Sequence, residues 1–394
     1  MKTCIYCNRE KGESEFSNEH ILPRTIGGAI HPINPFATDL VCGRCNNIAG
    51  LFIDAPFAKS WFINNYRADN AKRYIKLTPS SILPLVYIGI VDELKFKGKI
   101  CEFYLGPTGD LIYHFHYPYP MEMDTPSMVG VPPHLRNKGI DYGFAFIFLT
   151  TNNKEWLLPI FNSFMDHFEK SILYFGNGPT PKGGRFSDIP AELNELLVKI
   201  RSMNGKEHTS NVTMDIDTGN RFMAKLALGL GCLFLKGEYK TSTDAELLRK
   251  LIWTRDAKER QKLPVHGTGF LSGTDTLKDL NEKMKWEGGH ILFLTHAEES
   301  LALYANFYGQ GGSLIQVTEN KNHWSGVFER AIIYIIIPER QKCVGPIHFE
   351  DYIRHKFSNY KNQQLTELEE DLKSVGALPP FRLSEGGFYE LGQK

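Results

Sequence analysis

A chain of 394 residues with 42% hydrophobic side chains has room for two or three domains around substantial cores. Its 45 basic and 45 acidic residues cancel, which excludes a strongly electropositive coat for nucleic acid. No apolar run follows a basic start, so no secretory signal is expected, and apolar pieces such as 331–337 are too short to cross a bilayer.

The first fifty residues carry the most chemistry. Cys4 and Cys7 form one C-x-x-C pair, and Cys42 and Cys45 form another after 34 intervening residues. Two thiolates on a short turn can each reach one tetrahedral ion at about 2.3 Å, so the two pairs predict a closed Cys4 zinc site of structural type. A thioredoxin-like redox pair is the competing reading, and the presence of two knuckles argues against it. Between the knuckles run Glu19-His20-Ile21-Leu22-Pro23, then Gly27-Gly28, then Thr38-Asp39-Leu40-Val41; Asn46, Asn47 and Gly50 follow Cys45.

These residues resemble the HNH endonuclease family, in its zinc-ribbon-containing branch, which reads C-x-x-C, E-H-I-x-P, G-G and C-x-x-C-N with a following glycine. The resemblance covers roughly residues 1–55. It implies a ββα-metal core in which a hairpin and one helix clamp a catalytic divalent cation, and it implies hydrolysis of DNA phosphodiesters. Carried over, His20 is the general base, while Glu19 and Asn46 are metal ligands. The middle residue that orients the histidine falls on Asp39, with Asn34 a second candidate.

The residue chemistry agrees with that implication. A neutral histidine near pH 7 can accept a proton from water, and hard oxygens on Glu19 and Asn46 suit Mg2+ or Mn2+ rather than a second zinc. Adjacent strand residues face opposite ways, so Glu19 and His20 can act together only if the strand ends there, as Pro23 and Gly27-Gly28 suggest. Arg24, Arg44, Lys59, Arg67, Lys72, Arg73 and Lys76 are basic side chains near or after this segment, and they could hold a phosphate backbone without reading sequence.

Downstream, Asp54-Ala55-Pro56 reads as a helix start leading to Phe57, Trp61 and Phe62. Short apolar runs at 82–90, 100–104 and 111–117 read as strands, and a proline-rich linker extends through Pro133. A strand is expected at 144–149, helices at 156–173 and 190–200, a basic glycine turn at 182–186 and an edge strand at 211–215. The segment 220–234 reads as a core helix, and its 221–228 part resembles a helix found downstream of such modules. A helix at 275–285, strands at 289–294, 301–307, 313–317 and 328–337, and a helix at 364–375 complete the pattern.

The expected class is α+β: the N-terminal module, then a larger mixed region with a mostly antiparallel sheet. The expected division is a nuclease module over 1–55, a connecting helix and β-rich region over 56–135, and a recognition, regulatory or assembly region over 136–394. Cys101, Cys232 and Cys343 are widely spaced and read as free thiols of a reducing cytoplasm. His114 and His116 share a strand face but lack a visible third ligand, as do His290 and His296. Asn322-His323-Trp324 could stack on a base. Gly309-Gln310-Gly311-Gly312 lacks the lysine of a phosphate loop.

The sequence thus predicts a metal-dependent DNA endonuclease, acting on double-stranded DNA in restriction or anti-phage defence, with a homo-oligomer or regulatory partner possible and no membrane association. The alternative is a zinc-organised nucleic-acid-binding or interaction module without turnover; an RNA-directed nuclease is a third reading.

Overall fold

The computed structural model describes residues 1–74, 78–118, 143–150, 154–178, 180, 185–203, 206–207, 209–212, 216–235, 237–269, 275–297, 299–326, 330–373, 381–383 and 389–391. The proline-rich stretch from 119 through Pro133 and most of the 182–186 turn lie outside them. Two compact units emerge, one from Met1–Lys59 with Asp215–Ser374 and the other from Ser60–Met214 with Val375–Lys394.

The first unit begins with a small antiparallel pair, β1 (Lys2–Thr3) and β2 (Glu10–Lys11). A second pair, β3 (Phe16–His20) and β4 (Ala37–Cys42), is irregular between Ser17 and Glu19. Helix α1 (Gly43–Ala49) follows at once and runs through a π-helical turn, Gly50–Asp54, into α2 (Ala55–Ala58). Pro56 lies where the π-helical turn passes into α2, and lacking an N–H it makes no hydrogen bond back into that turn.

The second unit opens with α3 (Trp61–Tyr74) and contains a six-stranded sheet. Its strands are β5 (Val86–Ile90), β6 (Ile100–Leu105), β7 (Leu111–His116), β8 (Phe144–Phe148), β9 (Ile172–Phe175) and β10 (Phe186–Ser187). They lie in sequential order; β5 to β8 pair antiparallel, whereas β8, β9 and β10 pair parallel. Alternation decides the two faces. Leu111, Tyr113 and Phe115 join Leu196, Leu197 and Ile200 of α5 (Asn194–Met203) on one side. Ile112 and Tyr104 join Ile160, Phe164 and Phe168 on the other, beneath α4 (Lys154–His167).

The chain then returns to the first unit. Helix α6 (Ile216–Phe234) is followed by α7 (Thr243–Trp253), α8 (Ala257–Gln261) and α9 (Asp275–Lys283). A five-stranded, wholly antiparallel sheet is built from β11 (His290–Ala297), β12 (Ser300–Phe307), β13 (Gly311–Thr318), β14 (Ile332–Ile337) and β15 (Lys342–His348), in the order β13-β12-β11-β14-β15. The short α10 (Lys321–Trp324) and the helices α11 (Phe349–Phe357) and α12 (Gln363–Lys373) complete it. Phe222 of α6 stacks on Phe57 with ring centroids 3.7 Å apart, and Phe307 of β12 meets both rings edge-on.

The architecture is α+β, with antiparallel pairing dominant. Some expected elements change. The helix expected over 156–173 ends at His167, and Ile172–Phe175 forms a strand parallel to β8. Its apolar run Ile-Leu-Tyr-Phe before Gly176 fits a buried strand as well as a helix, and periodicity alone does not separate them. Of the expected edge strand at 211–215, residues 213–215 lie outside the described residues, and Asn211 pairs with Ile90 in an isolated bridge. Helices α7 and α11 and strand β15 were not anticipated.

Candidate functional site

The knuckle turn between β1 and β2 brings Cys4 and Cys7 together, and the junction of β4 with α1 supplies Cys42 and Cys45. One ligand atom from each lies within 4.8 Å of all the others. The turn is tight: Asn8 N–H donates to the Cys4 carbonyl at 2.8 Å, with Asn8 at φ 52°. The Cys42 N–H donates to Cys4 Sγ at 3.3 Å. A hydrogen bond from Cys45, and then backbone N–H groups of Cys42, Cys7 and Tyr6, hold the Cys4 thiol down at about 4 against the effect of burial. Soft thiolates at this spacing fit zinc. Helix α7 grips the same turn from behind: Arg249 Nε donates to the Ile5 carbonyl at 2.9 Å and Trp253 Nε1 to that of Tyr6 at 2.7 Å.

His20 ends β3 and is partly buried. Its Nε2 accepts a hydrogen bond from Arg24 Nε at 2.8 Å, so the imidazole lone pair is on that nitrogen. Burial, and next the Arg24 guanidinium, lower its pKa against a backbone hydrogen bond with Gly28 and the charge of Glu19. The group is thereby favoured as a neutral base. Asn34, in left-handed backbone at φ 46°, places its amide 3.5 Å from His20 Nδ1, while its Oδ1 is buried without a hydrogen-bond partner. Exchanging the amide oxygen and nitrogen would point that oxygen at the imidazole N–H.

Asp39 does not take the orienting place that its sequence position suggested. Its side chain is 71% exposed and pairs with Lys2 at 2.7 Å. The irregular pairing of β3 with β4 explains the shift, since an extra residue on one strand re-aims its side chains. Asn46, in the first turns of α1, donates from Nδ2 to Ser17 Oγ at 3.0 Å and to the Asn18 carbonyl at 3.2 Å, leaving Oδ1 as its oxygen donor. Arg44 is exposed.

Glu19 points the other way. Only 3% exposed, it meets Lys225 Nζ at 2.7 Å and accepts from Tyr6 Oη at 3.1 Å. Lys225, fully buried on α6, also pairs with Asp54 at 2.7 Å and donates to the Ile21 carbonyl at 3.3 Å. Burial raises the Asp54 carboxyl to about 6, opposed by Lys225. Glu19 and Asn46 as they stand therefore do not make a dication site, because an ammonium already occupies the carboxylate that the ion would need. Lys225 was missed in the sequence; its signal is a single cation inside the apolar run Phe222-Met223-Ala224-Lys225-Leu226-Ala227-Leu228.

Other candidates separate. His323 is buried with Nδ1 3.0 Å from Thr318 Oγ1, so it is no open stacking platform, and Trp324 packs on His296. His290 instead packs on Phe307 and Tyr308. Among the described residues one further group of His, Cys, Asp or Glu converges, Glu102 with His114 and His116 in the second unit.

Residues 4–62 match the HNH endonuclease family, and the Cys4 cluster is consistent with its zinc-binding branch. No curated protein and no solved structure matches the chain.

Proposed function

With an HNH-family N-terminal region as the premise, we propose that this chain is an HNH-type endonuclease that hydrolyses DNA phosphodiesters. The observation that carries the reading is the His20 imidazole, held in its basic form at a strand end beside a guanidinium. A phosphate entering this face would draw Arg24 onto its oxygens and uncover His20 Nε2. A water proton then passes to Nε2, the hydroxide oxygen bonds to phosphorus, and the opposite P–O bond breaks, its oxygen taking a proton from solvent. Asn34 keeps the ring oriented through Nδ1. The thiolate knuckle fixes β4 against α1, and with it Asn46.

Mg2+ or Mn2+ is the cofactor that this reading calls for. Asn46 Oδ1 is the protein oxygen available to it, and Glu19 joins only if Lys225 releases its carboxylate. Double-stranded DNA in restriction or anti-phage defence remains the proposed setting, with the larger α+β part selecting or regulating the target, alone or with a regulatory partner, in the cytoplasm.

The Lys225–Glu19 pair favours one second reading, a zinc-organised binding module without turnover. A plasmid-nicking assay separates the two. His20→Ala should lower nicking by about 10²–10⁴-fold while DNA binding persists. Full activity of that variant, or no nicking by the wild-type chain with Mg2+ or Mn2+, returns the protein to the binding-module reading.

A further inference from the structure

Strands β6 and β7 place Glu102 directly opposite His114, with His116 two residues further along the same strand and on the same face. The residue Tyr104, two along from Glu102, shares this face, and Phe168 from the end of α4 packs against the His114 ring at 5.0 Å. The sheet surface here is otherwise apolar, made of Tyr104, Ile112, Ala145, Ile147 and Phe168. A carboxylate and two imidazoles set together in such a surface carry a desolvation cost that only mutual or ionic partners offset.

The donor atoms converge on one point. His116 Nε2 lies 3.2 Å and His114 Nδ1 3.7 Å from the same oxygen, Glu102 Oε2, and the rings stand 4.8 Å apart at 30°. A tetrahedral ion with bonds of about 2.1 Å separates its ligand atoms by about 3.4 Å, a spacing that these two distances bracket. The far side of each ring is tethered. His116 Nδ1 lies 2.7 Å from the Tyr117 carbonyl, which can only accept, so Nδ1 carries the proton and Nε2 turns its lone pair toward Glu102 when the ring is neutral. His114 Nε2 is 3.0 Å from Ser171 Oγ, and Tyr104 Oη donates to Glu102 Oε2 at 2.7 Å. Outer hydrogen bonds that fix the tautomer and the angle of a ligating ring are the usual support of a metal site. The Ser171 hydroxyl can accept from His114 Nε2, which leaves His114 Nδ1 able to join the His116 Nε2 lone pair and the Glu102 oxygen around a cation.

We propose that Glu102, His114 and His116 form a second metal site, separate from the four cysteines, that takes a divalent first-row transition ion on two imidazole nitrogens and one carboxylate. Zn2+ suits this N2O set, and three protein ligands leave one position for water or a small anion. The side chains of His114 and Glu102 each keep 10% of their surface exposed, which gives the ion a way in. Thiolates are absent from the set, so its spectroscopy differs from that of the knuckle.

The full-length chain, freed of metal and titrated with Co2+, tests this. Wild type should take up one ion beyond the cysteine site. Cys42→Ser should lose the near-ultraviolet thiolate-to-cobalt band yet still bind Co2+ with d–d absorption alone, whereas His116→Ala and Glu102→Gln should keep the thiolate band and lose the other ion. A wild-type measurement covers the case in which a variant fails to fold. With the cysteine site filled by Zn2+, one added equivalent of Cu2+ should show nitrogen coupling from imidazole in its electron paramagnetic resonance spectrum. Absence of that coupling, or an unchanged metal count in folded His116→Ala, would mean that a proton rather than a metal ion bridges these groups, and would overturn the proposal.

Discussion

Lys225 Nζ lies 2.7 Å from Glu19 Oε1, and both side chains are almost completely withdrawn from solvent. The pair joins the strand that carries the candidate base to a helix more than two hundred residues later. Its fate decides whether the Glu19 carboxylate belongs to the core or to a reaction.

Removing one member of a buried ion pair leaves the other uncompensated. Lys225→Met should destabilise the first unit by about 3–5 kcal/mol, because Glu19 and Asp54 would be left buried without a cation. Urea unfolding checks this. Stability within about 0.5 kcal/mol of wild type would show that the three groups are not held as found. If Lys225 also blocks the ion, the surviving folded variant should nick DNA at lower Mn2+ than wild type does.

Loss of the knuckle should spread to α7. Cys42→Ser should release the zinc and raise amide exchange both around the 4–8 turn and in α7, since Arg249 and Trp253 hold the carbonyls of Ile5 and Tyr6. Hydrogen exchange read by mass spectrometry resolves the two regions. Unchanged protection of α7 would show that the grip contributes nothing.

The orientation of His20 distinguishes two side chains that the sequence left as rivals. Asn34→Ala should lower nicking by about 10- to 100-fold, the usual effect of losing a group that orients a functional histidine, whereas Asp39→Ala should leave it unchanged. The reverse ranking would place the orienting contact on Asp39 after all.

His290 supplies a pH test away from the candidate site. Burial lowers it to about 3, and its Nδ1 accepts the Tyr308 N–H at 3.2 Å, a bond that the neutral ring makes. In the unfolded chain it titrates near 6.5, so the native state binds fewer protons between these values and stability falls as pH drops below about 6.5. From pH 7.5 to 5.5 the wild type should lose about 1.4 kcal/mol more than His290→Gln. Equal losses in chemical denaturation at the two pH values would refute a neutral buried His290.

Local chemistry was legible where it depends on spacing. The two C-x-x-C pairs gave the cysteine cluster, and Glu19-His20 followed by Pro23 and Gly27 gave a strand that ends at the histidine. Asp39 misled because an irregularity in β3–β4 pairing re-aims a side chain without leaving a mark in composition. Lys225 and Glu102 were invisible for a related reason. Each acquires its role only when a distant element brings Glu19, or a neighbouring strand brings His114 and His116, into range. The same limit hid β9 and β15, whose short apolar runs become strands only beside β8 and β14.

Gly229 of α6 leaves no room for even a methyl group, since a Cβ there would sit 2.5 Å from Ile21 Cγ2. The residue after His20 thus rests on a helix backbone that the ribosome has not yet made when the N-terminal segment emerges. The four knuckle cysteines lie together between Cys4 and Cys45, well ahead of α6, so their cluster can close before that helix is made. The base strand, by contrast, acquires its backing and the cation for Glu19 only after residue 229 has left the exit tunnel. Nascent chains would therefore carry a closed knuckle and an unsupported His20, and assembly of the face around His20 follows the order of synthesis.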